Sequence, residues 1–97
     1  MIYAAEARRQ ILDLVDHYER KLRTGAIHVL SASLVNAERR IEANPEAGLA
    51  APRPYPGLAS PGEAWIKSGR YRITYSLTRP AVILGVFYDA SDIPGRS

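Results

Sequence analysis

The chain has 97 residues, of which 46% are apolar and 24% charged, and 13 lysine and arginine residues against 10 acidic ones give a formal net charge of +3. This length predicts a single domain, 1–97, with one modest core, and no apolar run approaches the roughly 20 residues needed to cross a bilayer. The lack of cysteine excludes disulfides and thiolate sites, and without a secretory segment at the N-terminus we expect a cytoplasmic protein.

Arginine supplies all but two of the 13 cations. Its planar fork suits carboxylate and phosphate groups better than the lysine ammonium does. The composition therefore favours an acidic partner, although an excess of three charges does not identify a nucleic-acid-binding protein.

The first half of the chain predicts a helical hairpin. After a short candidate strand at 1–4, apolar residues recur every three or four positions on one face of a helix over 5–22. They are Ala7, Ile11, Leu14, Val15, Tyr18 and Leu22. Thr24-Gly25 breaks the pattern, and a second helix ends near Ala43, because Asn44 precedes a proline. Its seam is Ile27, Leu30, Leu34, Ala37 and Ile41. Two amphipathic helices with a short turn pack antiparallel, and their joint apolar surface can cover a sheet.

The segment 44–62 holds five of the seven prolines and predicts no regular element. Proline lowers the entropy of the unfolded chain, and Leu49, Tyr55 and Leu58 can anchor the segment to the domain. We therefore expect an ordered strap and not a linker between domains.

The segment 63–88 predicts a three-stranded antiparallel meander, because Ser68-Gly69 and the Thr78–Pro80 stretch separate three apolar runs. In the middle run, the core face consists of Tyr71, Ile73, Tyr75 and Leu77, and the solvent face of Arg70, Arg72, Thr74 and Ser76. The last run is apolar on both faces, with Val82, Leu84, Val86 and Tyr88 on one side and Ile83 and Phe87 on the other. We expect this run to be the most buried strand, inside the sheet. The predicted fold class is α+β, a helical hairpin packed on a small antiparallel sheet in the order β-α-α-β-β-β, and the pairing of the N-terminal strand is left open.

The two histidines, His17 and His28, lie on separate predicted helices without clustered carboxylates. A metal site is therefore not expected, and no cofactor is implied. Trp65 and Tyr75 are interpreted as core or rim aromatics, with stacking on a nucleobase as the alternative.

Four segments in a fixed order span most of the chain. They are EAR…IL in the first helix, IEANPEAG at the end of the second, GRYRITY in the middle strand, and VILGVFYDASDIPGR at the C-terminus. Their combination resembles the RelE/ParE superfamily of toxins from bacterial type II toxin–antitoxin modules, also described as plasmid stabilisation proteins.

The RelE branch of the resembled superfamily cleaves messenger RNA on the ribosome with basic side chains. Such cleavage needs a proton acceptor, a proton donor and cations that stabilise the phosphorane. Here the resemblance implies Lys67, Arg70 and Arg72 as the candidate catalytic residues. The alternative is that they are simply outward-facing residues of the sheet. The second strand instead carries Glu63 and Trp65 where the nucleases are basic, and Asp89 and Asp92, which suit a turn, follow the last strand.

The ParE branch acts by binding DNA gyrase, and the chain resembles this branch more closely. The resemblance implies a non-enzymatic toxin, neutralised in a hetero-oligomer with a cognate antitoxin. A ribosome-dependent endoribonuclease and a degenerate member that only binds its antitoxin are the two alternatives.

Apolar residues outside the helical seams suggest where an antitoxin binds. A domain of this size has limited interior in which to bury Leu12, Val29 and Val35 in addition to the seams, so we expect some of them to be exposed. In the resembled family an acidic antitoxin segment folds as it wraps the toxin. The predicted contact surface continues from these residues to Arg70 and Arg72 or to Arg53.

Overall fold

The structure is a computed structural model and describes residues 1–52 and 55–88. In chain order, its helices and strands are β1 (Ile2–Tyr3), α1 (Ala5–Arg20), α2 (Thr24–Ala43), β2 (Glu63–Ser68), β3 (Tyr71–Ser76) and β4 (Val82–Phe87). The sheet order is β1-β4-β3-β2: β2, β3 and β4 form the predicted antiparallel meander, and β1 pairs with β4 in the parallel direction. The α+β fold with β4 inside the sheet is confirmed, and β1 makes the sheet mixed.

Both helices bury their seams on one face of the sheet. The shared core consists of Ala7, Tyr18, Leu30, Ala37, Ile41, Ala64, Tyr71, Ile73, Tyr75, Ile83 and Val86. Two polar contacts tie α1 to the sheet: the hydroxyls of Tyr18 and Tyr71 lie 2.7 Å apart, and the Val86 amide donates to Gln10 Oε1 at 2.7 Å. Among the described residues, neither helix has the length and apolar content to span a membrane.

The turn between the helices lies earlier than the sequence pattern suggests. α1 ends at Arg20, and α2 already begins at Thr24, so Thr24-Gly25 starts a helix and does not break one. The prediction that Leu22 belongs to the apolar seam is wrong, because this residue lies in the turn with φ 54° and is 90% exposed. The predicted end of α2 at Ala43 is confirmed.

A β-bulge in β4 changes which residues face the helices. Thr74 pairs with Gly85, whereas Tyr75 pairs with Ile83, so Leu84 is an extra residue without an opposite partner. The bulge lets both Ile83 and Val86 enter the helix-facing core. The prediction that Ile83 and Val86 lie on different faces of β4 is therefore wrong.

Strand β3, and not β4, is the most buried strand. Its Tyr71, Ile73 and Tyr75 are at most 2% exposed on the helix side, while Thr74, expected in solvent, is 7% exposed on the other side. The predicted core position of Leu77 is wrong, since β3 ends at Ser76 and Leu77 is 47% exposed.

The proline-rich segment covers part of the open sheet face, the one turned away from the helices. It contains two short 3₁₀ turns, Pro45–Ala47 and Pro56–Leu58. Tyr55 and Leu58 pack against Trp65, while Leu49 exchanges two backbone hydrogen bonds of 2.7 Å with Trp65. The strap is confirmed for the described residues of this segment, although Leu49 anchors it through its backbone and its side chain is 45% exposed.

Candidate functional site

The tight turn between β2 and β3 brings the predicted basic residues together. Gly69 adopts φ 60° in a two-residue loop that joins the paired residues Ser68 and Tyr71, a conformation that suits glycine. Lys67 and Arg72 are direct cross-strand partners in this hairpin. Their side chains therefore lie on the same open face of the sheet.

The three nuclease candidates of the sequence analysis border one depression of about 260 Å³, which we call the cationic depression. Its described lining residues are Lys67, Gly69, Arg70, Arg72 and Tyr88. Arg70 Nη1 donates a hydrogen bond of 3.2 Å to the Tyr88 hydroxyl, and this bond raises the pKa of the guanidinium. The depression therefore presents three positively charged side chains beside one phenol, a combination suited to binding anions.

A second depression, of about 250 Å³, also borders Tyr88. We call it the tyrosine pocket, and its described lining residues are Leu14, His17, Tyr18, Arg23 and Tyr88. The Arg23 guanidinium lies 5.8 Å from the centre of the Tyr18 ring. The sequence analysis did not identify this site, because its residues come from the end of α1, the following turn and the end of β4.

A network of tyrosines joins the two depressions. The Tyr71 ring packs edge-on against Tyr88 with ring centroids 5.8 Å apart. The Tyr71 hydroxyl forms a hydrogen bond with the Tyr18 hydroxyl. Burial raises the pKa of Tyr71, and the hydrogen bond with Tyr18 raises it further, so the hydroxyl stays protonated well above neutral pH. The spacing of these tyrosines along the chain gives no sign of their contact.

The candidates for base stacking are buried. Trp65 is 8% exposed beneath the strap and stacks on Phe87 with ring centres 5.9 Å apart. Tyr75 is 1% exposed on the helix side, and its hydroxyl donates to the Pro45 carbonyl at 2.6 Å. The interpretation of Trp65 and Tyr75 as core aromatics is confirmed.

The cationic depression lacks a proton acceptor suited to neutral pH among its described residues. Its side chains are lysine, arginine and tyrosine, without a carboxylate or an imidazole. Glu63 starts β2 opposite Ser76, at the far end from Lys67. Asp89 and Asp92 lie outside the described residues. The described geometry thus explains anion binding more readily than proton transfer.

The apolar residues predicted to contact an antitoxin are exposed. Leu12 is 68% exposed, Val29 52% and Val35 43%. Leu12 borders an apolar groove of about 540 Å³ beside Met1 and Ile2, and the α2 residues Val29 and Val35 do not line this groove. Arg53 lies outside the described residues, so the predicted continuation of the surface to this residue stays a prediction.

The described part of the chain contains no group of three or more histidine, cysteine, aspartate or glutamate side chains placed to hold a metal ion. His17 borders the tyrosine pocket on α1, whereas His28 is exposed on α2.

Comparison of the chain with protein-family models, with curated proteins and with solved structures gave no match. The resemblance to the RelE/ParE superfamily therefore rests on the sequence segments described above.

Proposed function

We propose that this chain is the toxin of a type II toxin–antitoxin module, that it inhibits DNA gyrase by binding it, and that a cognate antitoxin neutralises it. The order β-α-α-β-β-β supports this proposal, because it is the order that the resemblance implies. The observation that carries the choice of binding over catalysis is the cationic depression, whose described lining has three cations and no carboxylate or imidazole.

The chemistry of RNA cleavage explains why that lining matters. Attack by a 2′-hydroxyl requires a group that accepts its proton, and a side chain does this well when its pKa lies near the working pH. Lys67, Arg70 and Arg72 are basic side chains, which supply positive charge that stabilises the phosphorane. An inhibitor that binds its target needs such a surface and no proton transfer.

A ribosome-dependent endoribonuclease is the second candidate function, and one observation favours it. Lys67, Arg70 and Arg72 converge on one depression with the Tyr88 hydroxyl at its edge, which is where charge stabilisation and a proton donor would be needed. A degenerate member that only binds its antitoxin is the third candidate.

Two assays on the purified chain separate the candidates. For the leading proposal we expect inhibition of gyrase supercoiling and no codon-dependent cleavage of messenger RNA on ribosomes. Robust cleavage that is lost in Arg72→Ala, with gyrase unaffected, would establish the nuclease instead. Expression of the chain alone tests the third candidate, because a degenerate member causes no growth arrest.

The proposed antitoxin contact has its own test. Leu12→Asp and Val35→Asp should each weaken binding of the cognate antitoxin by a few kcal/mol, on the order of 2–5, because burying an unpaired carboxylate in an interface is costly. Both positions are exposed, so each variant should unfold at the parent's temperature. Asp13→Asn, on the exposed side of α1, is the surface control. Parent-like antitoxin affinity in both variants would place the contact surface elsewhere.

A further inference from the structure

The two helices cover the same side of the sheet, but their solvent-facing sides differ in chemistry. The exposed side of α1 is charged, and Arg9 and Arg20 form ion pairs there with neighbouring carboxylates. On α2, residues 24–37 contain no lysine, arginine, aspartate or glutamate. The exposed residues along one strip of this stretch, which we call the outer face of α2, are Gly25, His28, Val29, Ala32 and Val35. Because the water-facing side of a surface helix is ordinarily charged or polar, this face is suited to being covered by another protein surface.

The outer face of α2 is symmetric about Ala32. Val29 precedes Ala32 by three residues and Val35 follows it by three, and the two valines are 52% and 43% exposed. With about 3.6 residues per turn and a rise of about 1.5 Å per residue, they flank Ala32 by roughly 60° on either side and lie about 9 Å apart along the helix. Two copies of α2 that cross antiparallel at Ala32 therefore bring Val29 of each copy level with Val35 of the other. A two-fold dimer requires a surface that matches itself in this way.

We propose that the chain forms a two-fold symmetric homodimer in which the outer faces of two α2 helices cross antiparallel at Ala32. The small side chain at the centre lets the two backbones approach closely. Helix axes about 9 Å apart, with Cα atoms about 2.3 Å from each axis, place the two Ala32 Cα atoms roughly 4–5 Å apart. The inference does not depend on the proposed function, since its partner is a second copy of the chain.

The charged residues at the two ends of the outer face fit the same register. Glu42 of one copy comes level with the turn 21–23 of the other, where Lys21 is exposed. Neither Glu42 nor Lys21 forms an ion pair within the described residues, so a dimer gains two such pairs at its rim. Arg39 comes level with Gly25 of the other copy, which has open space where a side chain would be. The long arginine side chain is therefore accommodated.

A second copy fits the outer face better than a strongly charged partner does. A charged segment would lose the hydration of its charges without finding opposite charges among residues 24–37. A like face buries no charge, and the cores of protein interfaces are depleted in charged residues in the same way. Val29 and Val35 are also proposed antitoxin contacts, so an antitoxin that reaches them would displace the second copy.

Sedimentation equilibrium of the full chain, without antitoxin, gyrase or nucleic acid, tests the dimer at concentrations between about 1 and 500 µM. We expect the measured mass to rise from the 10.7 kDa of one chain toward twice that value. Ala32→Asp should weaken association at least about a hundredfold, because two carboxylates would face each other at the two-fold axis. Val29→Asp is a second variant and should weaken association at least about tenfold. Leu12→Asp is the matched control, because it places the same charge on an exposed apolar residue of α1, and it should change association by less than about twofold.

The lack of cysteine in the chain allows a direct test of the crossing point. Ala32→Cys introduces the sole thiol at the two-fold axis, where the expected separation suits a disulfide, which needs Cα atoms about 4.4–6.8 Å apart. Oxidation should therefore link Ala32→Cys into dimers, whereas Leu12→Cys should stay largely monomeric. Charge reversal tests the rim: Glu42→Lys and Lys21→Glu should each weaken association about three- to tenfold, and the double variant should restore it.

The inference is overturned if the mass stays at 10.7 kDa throughout this range, if Ala32→Asp associates like the parent, or if Leu12→Asp disrupts association as strongly as Ala32→Asp. Equal cross-linking of Ala32→Cys and Leu12→Cys, or no restoration by the double charge reversal, refutes the antiparallel crossing. A monomeric chain whose antitoxin binding is weakened by Val29→Asp would assign the face to the antitoxin instead.

A separate measurement of gyrase inhibition keeps this inference and the proposed function distinguishable. A monomer that inhibits gyrase removes the dimer and leaves the proposed function standing, whereas a dimer that does not inhibit gyrase does the reverse. Circular dichroism on every variant confirms that a loss of association is not a loss of fold.

Discussion

The buried hydroxyl pair of Tyr18 and Tyr71 offers a quantitative test of how the helical hairpin is held on the sheet. The two oxygens lie 2.7 Å apart, and the residues are 3% and 2% exposed. We predict that Tyr18→Phe lowers the free energy of unfolding by about 1–3 kcal/mol, because it leaves the Tyr71 hydroxyl buried without its partner. Tyr71→Phe should cost a similar amount for the reciprocal reason.

The double variant separates this hydrogen bond from the packing of the rings. When both hydroxyls are removed, no polar atom of the pair remains buried and unpaired, so Tyr18→Phe with Tyr71→Phe should cost less than the sum of the single losses. The coupling free energy should be about 1–3 kcal/mol. For a domain of this size, about 1 kcal/mol corresponds to a change of about 4–8 °C in the melting temperature, which thermal unfolding monitored by circular dichroism resolves.

Tyr55→Phe is the control for the loss of a tyrosine hydroxyl. Tyr55 packs in the strap against Trp65 and is only half-buried, so its hydroxyl can exchange bonds with water. We expect this variant to melt within about 2 °C of the parent, in line with the small effect of surface changes. Strictly additive losses at Tyr18 and Tyr71 would refute the coupling, and parent-like melting of both single variants would refute the buried bond itself.

Further predictions concern polar groups at the sheet and the chain's response to pH. Gln10→Ala should cost about 1–3 kcal/mol in urea unfolding, because a buried β4 amide loses its acceptor, whereas Gln10→Glu keeps one. Gly69→Ala should cost about 1–3 kcal/mol, since it strains φ 60° and places Cβ 2.7 Å from Ser33 Oγ; unchanged stability would contradict the turn geometry. Thr74→Val should stabilise the fold by about 1 kcal/mol, because the hydroxyl is buried without a partner among the described residues. The raised pKa of Tyr71 keeps its proton on the folded chain, so stability should fall as the pH rises above about 10, where unfolded tyrosine ionises; a flat urea midpoint from pH 9 to 11 would refute this.

The periodicity of the sequence was sufficient to predict the helices and the meander. It was not sufficient to predict where α1 ends or how β4 is aligned with β3. Both helical seams and the end of α2 follow from spacing and from the proline after Asn44. The exposed position of Leu22 does not, because an apolar residue just past a helix end continues the helical pattern in sequence while its backbone has already left the helix. The bulge at Leu84 is hidden for a related reason: a run that is apolar on both faces carries no alternation from which a register can be read.

Part of the candidate site could likewise be predicted from the sequence, and part could not. Lys67 and Arg72 were predictable neighbours, because a two-residue turn after Ser68 fixes the pairing of β2 with β3. Arg23 and Tyr88 are distant in sequence but border the same pocket, because the turn after α1 lies near the end of β4. Such placement depends on how the hairpin packs, and a single sequence does not encode it in any local pattern.

The contact between α2 and the β2–β3 turn determines how rigidly the cations are presented. Small residues allow a close approach there, since Ser68 Oγ donates to the Ser33 carbonyl at 2.7 Å and accepts from Asn36 Nδ2 at 2.9 Å. The Arg40 guanidinium donates a hydrogen bond to the neighbouring carbonyl, that of Lys67. The backbone that carries Lys67 and Arg70 is therefore fixed by the helix as well as by strand pairing, although both side chains end in solvent. A binding surface built on such a frame loses less conformational entropy when it meets an anion than one carried on a free loop. The charges of the cationic depression are therefore carried on a backbone that α2 holds in place.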